Sequence, residues 1–161
     1  MADFRGLLEA LSGQGVEYVL IGGVAARIHG SARLTQDLDI VYARSRDNLE
    51  RLVKALEGHS PYLRGAPPGL PFRWDVRTLR MGLNFTLVTT LGEIDLLGEV
   101  VGGGTYEQLL PHSIEFDILG SRCRVVDLPK LIQLKRAAGR PKDLEALAEL
   151  EAILEEREEQ L

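Results

Sequence analysis

Two carboxylates one residue apart, Asp37 and Asp39, open the apolar run Asp37-Leu38-Asp39-Ile40-Val41-Tyr42. On a strand, side chains alternate, so both acids share one face while Leu38 and Ile40 take the other. Like charges this close raise each other's cost of ionisation. A hard divalent cation relieves that cost, and carboxylate oxygens suit magnesium. Such triplets also occur on solvated strand ends, so a third acid is needed to decide. Asp95 offers one. It sits in Glu93-Ile94-Asp95-Leu96-Leu97, again between apolar neighbours. Beside Asp39 it completes a trio able to hold two ions about 3.5–4 Å apart. Glu93, on the same strand face, is its main rival; Asp75 and Asp117 read as surface charges.

Gly22-Gly23 follows the apolar run Tyr18 to Ile21 and precedes a short helical stretch. Glycines there let a ligand approach the backbone closely. The helix start adds partial positive charge, which suits a phosphate. By spacing alone the pair is equally an ordinary turn. Lys135, Arg140 and Lys142 cluster at the break between two terminal helices and could neutralise phosphate charge, as could Arg33. The plainer readings are helix-end cations for the cluster and an ion pair with Asp37 for Arg33. His29 reads as a packed, hydrogen-bonded histidine. His59 and His112 lie in loop contexts, and no metal spacing links the three. Cys123 reads as a small buried side chain. Phe72 and Trp74 read as partial core packing rather than a base pocket.

Several elements must position these groups. Phe4, Leu7, Leu8 and Leu11 predict a first helix, ended by Gly13 and Gly15. Tyr18 to Ile21 predicts a buried strand, Val24 to His29 a short helix, and Leu38 to Tyr42 a second strand. Ser45 caps a predicted helix over Arg46 to Leu56. The proline-rich stretch Ser60 to Pro71 reads as a loop. Asn84 to Thr90 and Glu93 to Leu97 predict a hairpin, Gly102-Gly103-Gly104 a flexible break, and Tyr106 to Leu110 a helical turn. Ile114 to Leu119 and Cys123 to Val126 predict a second hairpin. Asp127, Pro129 and Gly139 delimit one terminal helix. Pro141 starts the last, with Leu144, Leu147, Leu150 and Leu154 as its expected buried stripe. Mixed strands and helices in this order predict an α+β fold, a mixed sheet with helices packed against it.

A chain of 161 residues has the size of one domain, with no linker to divide it. The single cysteine excludes an intramolecular disulfide and fits a reducing compartment. A net charge of −5 argues against broad DNA or RNA binding, although the acids crowd between Asp143 and Glu159. No signal peptide is evident and the longest uncharged apolar run, Tyr18 to Ala26, is far shorter than a membrane span, so the expected location is the cytoplasm.

The segment Tyr18 to Tyr42 resembles the signature of the DNA polymerase beta-like nucleotidyltransferase superfamily. Gly22 and Gly23 match its glycine turn, thirteen residues intervene, and Asp37 and Asp39 match its acidic pair on a strand. The stretch His29-Gly30, Arg33, Thr35, Asp37, Leu38, Asp39 further resembles minimal bacterial nucleotidyltransferases found near toxin–antitoxin and abortive-infection systems. So does Leu131 to Leu144. The resemblance covers residues 15–42 and 126–150 well and 93–97 loosely.

It implies a polymerase-beta-like fold over residues 1–161, with a catalytic core of about 15–126 and C-terminal helices over 127–158. It implies transfer of a nucleoside monophosphate from an NTP, ATP first among them, to a hydroxyl on a protein, an RNA or a small molecule, with release of pyrophosphate. Asp37, Asp39 and Asp95 would hold two magnesium ions, with manganese able to substitute. Gly22, Gly23, Arg33, Thr35, Lys135 and Lys142 would serve the nucleotide. A partner protein could complete the acceptor site. The alternative is an inactive nucleotide- or partner-binding module, the antitoxin or regulatory half of a pair.

Overall fold

A computed structural model describes residues 2–161. Its first helix, α1 (Phe4–Gly13), is capped by the Asp3 carboxylate, which accepts from the Gly6 N–H, and it buries Leu7, Leu8 and Leu11. The fully buried strand β1 (Tyr18–Ile21) leads into α2 (Gly22–Ile28). Strand β2 (Asp37–Tyr42) follows, then α3 (Arg46–Leu56), capped by Ser45. Next come β3 (Tyr62–Leu63), α4 (Val76–Met81), β4 (Asn84–Thr89) and β5 (Gly92–Leu97). A small ribbon, β6 (Glu99–Val100) and β7 (Gly104–Thr105), precedes α5 (Tyr106–Leu109). The hairpin β8 (Ser113–Ile118) and β9 (Ser121–Val126) precedes α6 (Leu128–Ala138) and α7 (Pro141–Glu159).

Seven strands form one mixed sheet in the order β3-β4-β5-β2-β1-β9-β8. Two of its pairs, β1 with β9 and β2 with β5, are parallel, and the others are antiparallel. Leu38, Ile40, Leu87, Ile94 and Leu96 point into one core face and are wholly buried. Alternation therefore turns Asp37, Asp39, Glu93 and Asp95 to the opposite face. The expected α+β architecture, a mixed sheet flanked by helices, is what the chain adopts. Among the described residues no helix is long and apolar enough to cross a membrane.

The structure departs from the expectations in four places. The predicted loop at Ser60 to Pro71 contains the edge strand β3, held to β4 by backbone bonds that a proline-rich composition conceals. Helix α4 was not foreseen. Asp75, expected as a surface charge, is its cap and accepts from the Thr78 N–H at 2.8 Å. The triple glycine is a ribbon turn rather than a structureless break, because Val100 and Gly104 pair. The buried stripe of α7 is Asp143, Ala146, Leu147 and Leu150, while Leu144 is 52% exposed. Turning Asp143 inward to meet cations from its neighbours rotates Leu144 out.

Candidate functional site

Strand β2 lies between β5 and β1, and this placement builds the site. The parallel register with β5 sets Asp39 beside Asp95 and Asp37 beside Glu93. The antiparallel register with β1 sets Ile21, the residue before the glycine turn, beside Asp39. Asp37, Asp39 and Asp95 thus each present a carboxylate oxygen within 4.8 Å of the others. Glu93 stands outside this trio and turns to Arg64, 3.5 Å away.

The electrostatics are those of a crowded anion cluster. Burial, then the charges of Asp37 and Asp95, push the Asp39 carboxyl up to about 8. Asp37 is also raised, by burial and then by Asp95, with Arg64 acting against the shift. Three half-buried carboxylates form a hard oxygen donor set, and the buried Oδ1 of Asp95 has no aligned hydrogen bond, only the charge of Arg64 beside it. That chemistry fits a divalent cation such as magnesium.

The glycine turn closes against this cluster. Gly22 has a φ of +69°, and a Cβ there would overlap the Asp39 carboxylate. A Cβ on Gly23 would come within 2.5 Å of Thr35 Oγ1. Thr35 in turn donates its hydroxyl to the Asp37 carbonyl at 3.3 Å. Turn, threonine and acids therefore interlock. They open on a pocket of about 530 Å³, within the range of small-molecule sites.

All nine residues singled out in the sequence line that pocket, at positions 22, 23, 33, 35, 37, 39, 95, 135 and 142. Its apolar wall comes from α6 and α7, through Leu131, Leu134, Ala146 and Leu150. Lys135 Nζ lies 3.5 Å from Asp143, and its charge favours ionisation of Asp39. Arg140 reaches the same Asp143 at 2.6 Å. Asp143 is 1% exposed. Burial opposes its ionisation, but the Arg140 hydrogen bonds and the Lys135 charge hold its carboxyl below the usual range. The cations at the helix break are thus partly committed to an internal acid. Arg33 does not pair with Asp37. Its guanidinium lies 3.9 Å from Glu145 on α7.

Four side chains behave as packing. His29 Nε2 donates to the Val126 carbonyl at 2.8 Å, while its Nδ1 faces Arg157 at 3.2 Å. Burial and the Arg157 charge hold this histidine below its usual range despite the Val126 bond, so it stays neutral. Cys123 is buried and accepts from the Tyr18 hydroxyl. Trp74 donates to the Val53 carbonyl, and Phe72 packs edge-on against Tyr62.

Two participants escaped the sequence reading. Glu149 accepts from the Ser31 hydroxyl and the Ala32 N–H, pinning the loop that carries Arg33 and Thr35. It was hidden among the solvated acids of α7. Arg64 follows β3 and approaches the trio from the sheet edge. Its Nη2 lies 2.8 Å from Asp95 Oδ1, a close ion pair without hydrogen-bond alignment, and its Nη1 lies 3.8 Å from Asp37. A lone arginine in a proline-rich loop carries no periodicity that points at a site 31 residues away. Comparison with models of known protein families and with curated proteins finds no match for this chain.

Proposed function

We propose that this protein is a magnesium-dependent nucleotidyltransferase, moving a nucleoside monophosphate from an NTP to a hydroxyl acceptor. The observation that carries the reading is the convergence of Asp37, Asp39 and Asp95 on one spot in the lining of a pocket that Gly22, Gly23 and Lys135 also line. The resemblance of residues 15–42 to the polymerase-beta-like superfamily supports it independently of geometry.

On this reading the backbone at Gly22 and Gly23 receives the phosphates, and Lys135, Lys142 and Arg33 offset their charge. The α6–α7 wall holds the nucleoside and excludes water from the reacting bond. Asp37, Asp39 and Asp95 would hold the cation. Bound there, magnesium would neutralise developing phosphate charge and acidify the acceptor hydroxyl. The hydroxyl oxygen bonds to the alpha-phosphorus, the bond from that phosphorus to the bridging oxygen breaks, and pyrophosphate leaves. On this reading the Asp95 carboxylate takes the hydroxyl proton.

One observation favours a second reading. Arg64 already satisfies part of the acid charge, as a nucleotide-binding module without turnover could use. Isothermal titration with each NTP and magnesium measures binding; pyrophosphate release with labelled NTP and cell extract measures turnover. Release with transfer of label to an acceptor establishes the enzyme. Tight binding with no release favours the module, and neither result with any NTP defeats both.

A further inference from the structure

Arg64 stands where its charge acts on three of the four acids at once. Its guanidinium lies 2.8 Å from Asp95, 3.5 Å from Glu93 and 3.8 Å from Asp37. It is held in place twice. Its backbone N–H donates to the Thr86 carbonyl at 2.9 Å, continuing the β3–β4 pairing, and its Nη2 donates to the Leu87 carbonyl at 3.0 Å. The side chain is three-quarters buried. A surface arginine swept onto a nearby acid has neither anchor. It is also absent from the pocket lining, so it reaches the trio from the side away from the nucleotide space.

We infer that Arg64 is a positioning residue and the site's built-in counter-cation: it holds Asp95 in line with Asp39 and keeps the metal-free cluster from repelling itself, and in doing so it weakens the binding of magnesium on its own. The inference rests on the transferase reading above. Its physical basis is a conflict between charges of one sign. A guanidinium fixed within a few ångströms of the ligand oxygens repels any divalent ion that shares them. An incoming triphosphate brings negative charge that offsets this repulsion. Magnesium therefore enters well only in company with the nucleotide, and the empty site does not hoard metal. The arginine and the ion are not strict alternatives, because Arg64 takes Asp95 from the sheet edge while the pocket face of the trio stays open.

The test compares wild type with Arg64→Gln and Arg64→Lys by isothermal titration of magnesium, with and without a non-hydrolysable NTP analogue, and by thermal melts in EDTA. Arg64→Gln is expected to bind magnesium alone roughly tenfold more tightly or better, to melt lower in EDTA, and to show a smaller gain in metal affinity when the analogue is present. Arg64→Lys keeps the charge but not the fork, so its magnesium affinity should stay nearer to wild type than that of Arg64→Gln. A merely structural arginine would not raise metal affinity on removal. Equal or weaker magnesium binding by Arg64→Gln, with wild type binding normally, overturns the role of Arg64 and leaves the transferase reading intact. Wild type that binds no magnesium with or without nucleotide overturns both.

Discussion

Asp39 is the residue on which the chemistry and the stability of this site pull in opposite directions. Its carboxyl is pushed to about 8 by burial and by two neighbouring acids. The folded value lies above the ordinary 3.8, so protonated Asp39 stabilises the folded chain. That contribution is complete below the ordinary value and is lost as pH rises towards the folded one. The metal-free protein should accordingly melt at a lower temperature at pH 8.5 than at pH 6, while magnesium affinity climbs across the same interval as the competing proton leaves. Melts in EDTA and titrations at several pH values check both slopes; a flat profile for each means Asp39 is already ionised. Asp39→Asn should abolish transfer yet leave the metal-free protein as stable as wild type or more so, by on the order of 1 kcal/mol, since the acids are partly solvated. A clear loss of stability on denaturant unfolding would mark it as a structural acid instead. Gly22→Ala combines a positive φ with overlap on that same carboxylate. It should cost about 1–3 kcal/mol of stability and weaken magnesium binding, as unfolding and titration would register.

At the scale of elements, the adjacency of β2 and β5 does most of the positioning. Strand identity was legible in the sequence: Leu38, Ile40, Ile94 and Leu96 alternate with the acids, and alternation fixes which side chains share a face. The pairing of β2 with β5 in parallel was not legible, because register between distant strands is set by the whole sheet. Asp95 could be chosen over Glu93 only once Asp39 was seen to stand opposite it. Arg64 and Glu149 act through contacts 31 and 117 or more residues away and left no local pattern. Leu144 misled because leucine spacing on α7 fits a stripe that the buried Asp143 displaces. That acid ties α6 to α7 through Lys135 and Arg140. Asp143→Ala removes the buried acid that Lys135 and the largely exposed Arg140 meet, and should cost about 1–3 kcal/mol, read by chemical denaturation. It should also free Lys135 and so alter nucleotide affinity, whereas a surface acid would change neither.

For the molecule as a whole, metal binding on the proposed reading would be coupled to folding. The trio exists only when strands far apart in sequence have paired, so an unfolded chain has no comparable site. Magnesium supplied with nucleotide at about a hundredfold over the dissociation constant should stabilise the fold by about 2.7 kcal/mol. For a chain of this size that raises the melting temperature by roughly 5–10 °C. EDTA should reverse the gain, and Asp39→Asn should not show it. A single cooperative shift is expected, because one continuous core joins the sheet to the helices on it.

The pocket has two owners. Its acids and glycine turn belong to the sheet and α2, whereas its greasy wall belongs to a hairpin of helices at the end of the chain. On the transferase reading, exchanging the final two helices should change how the nucleoside is gripped, and because Lys135 and Lys142 travel with them it should change the hold on the phosphates as well.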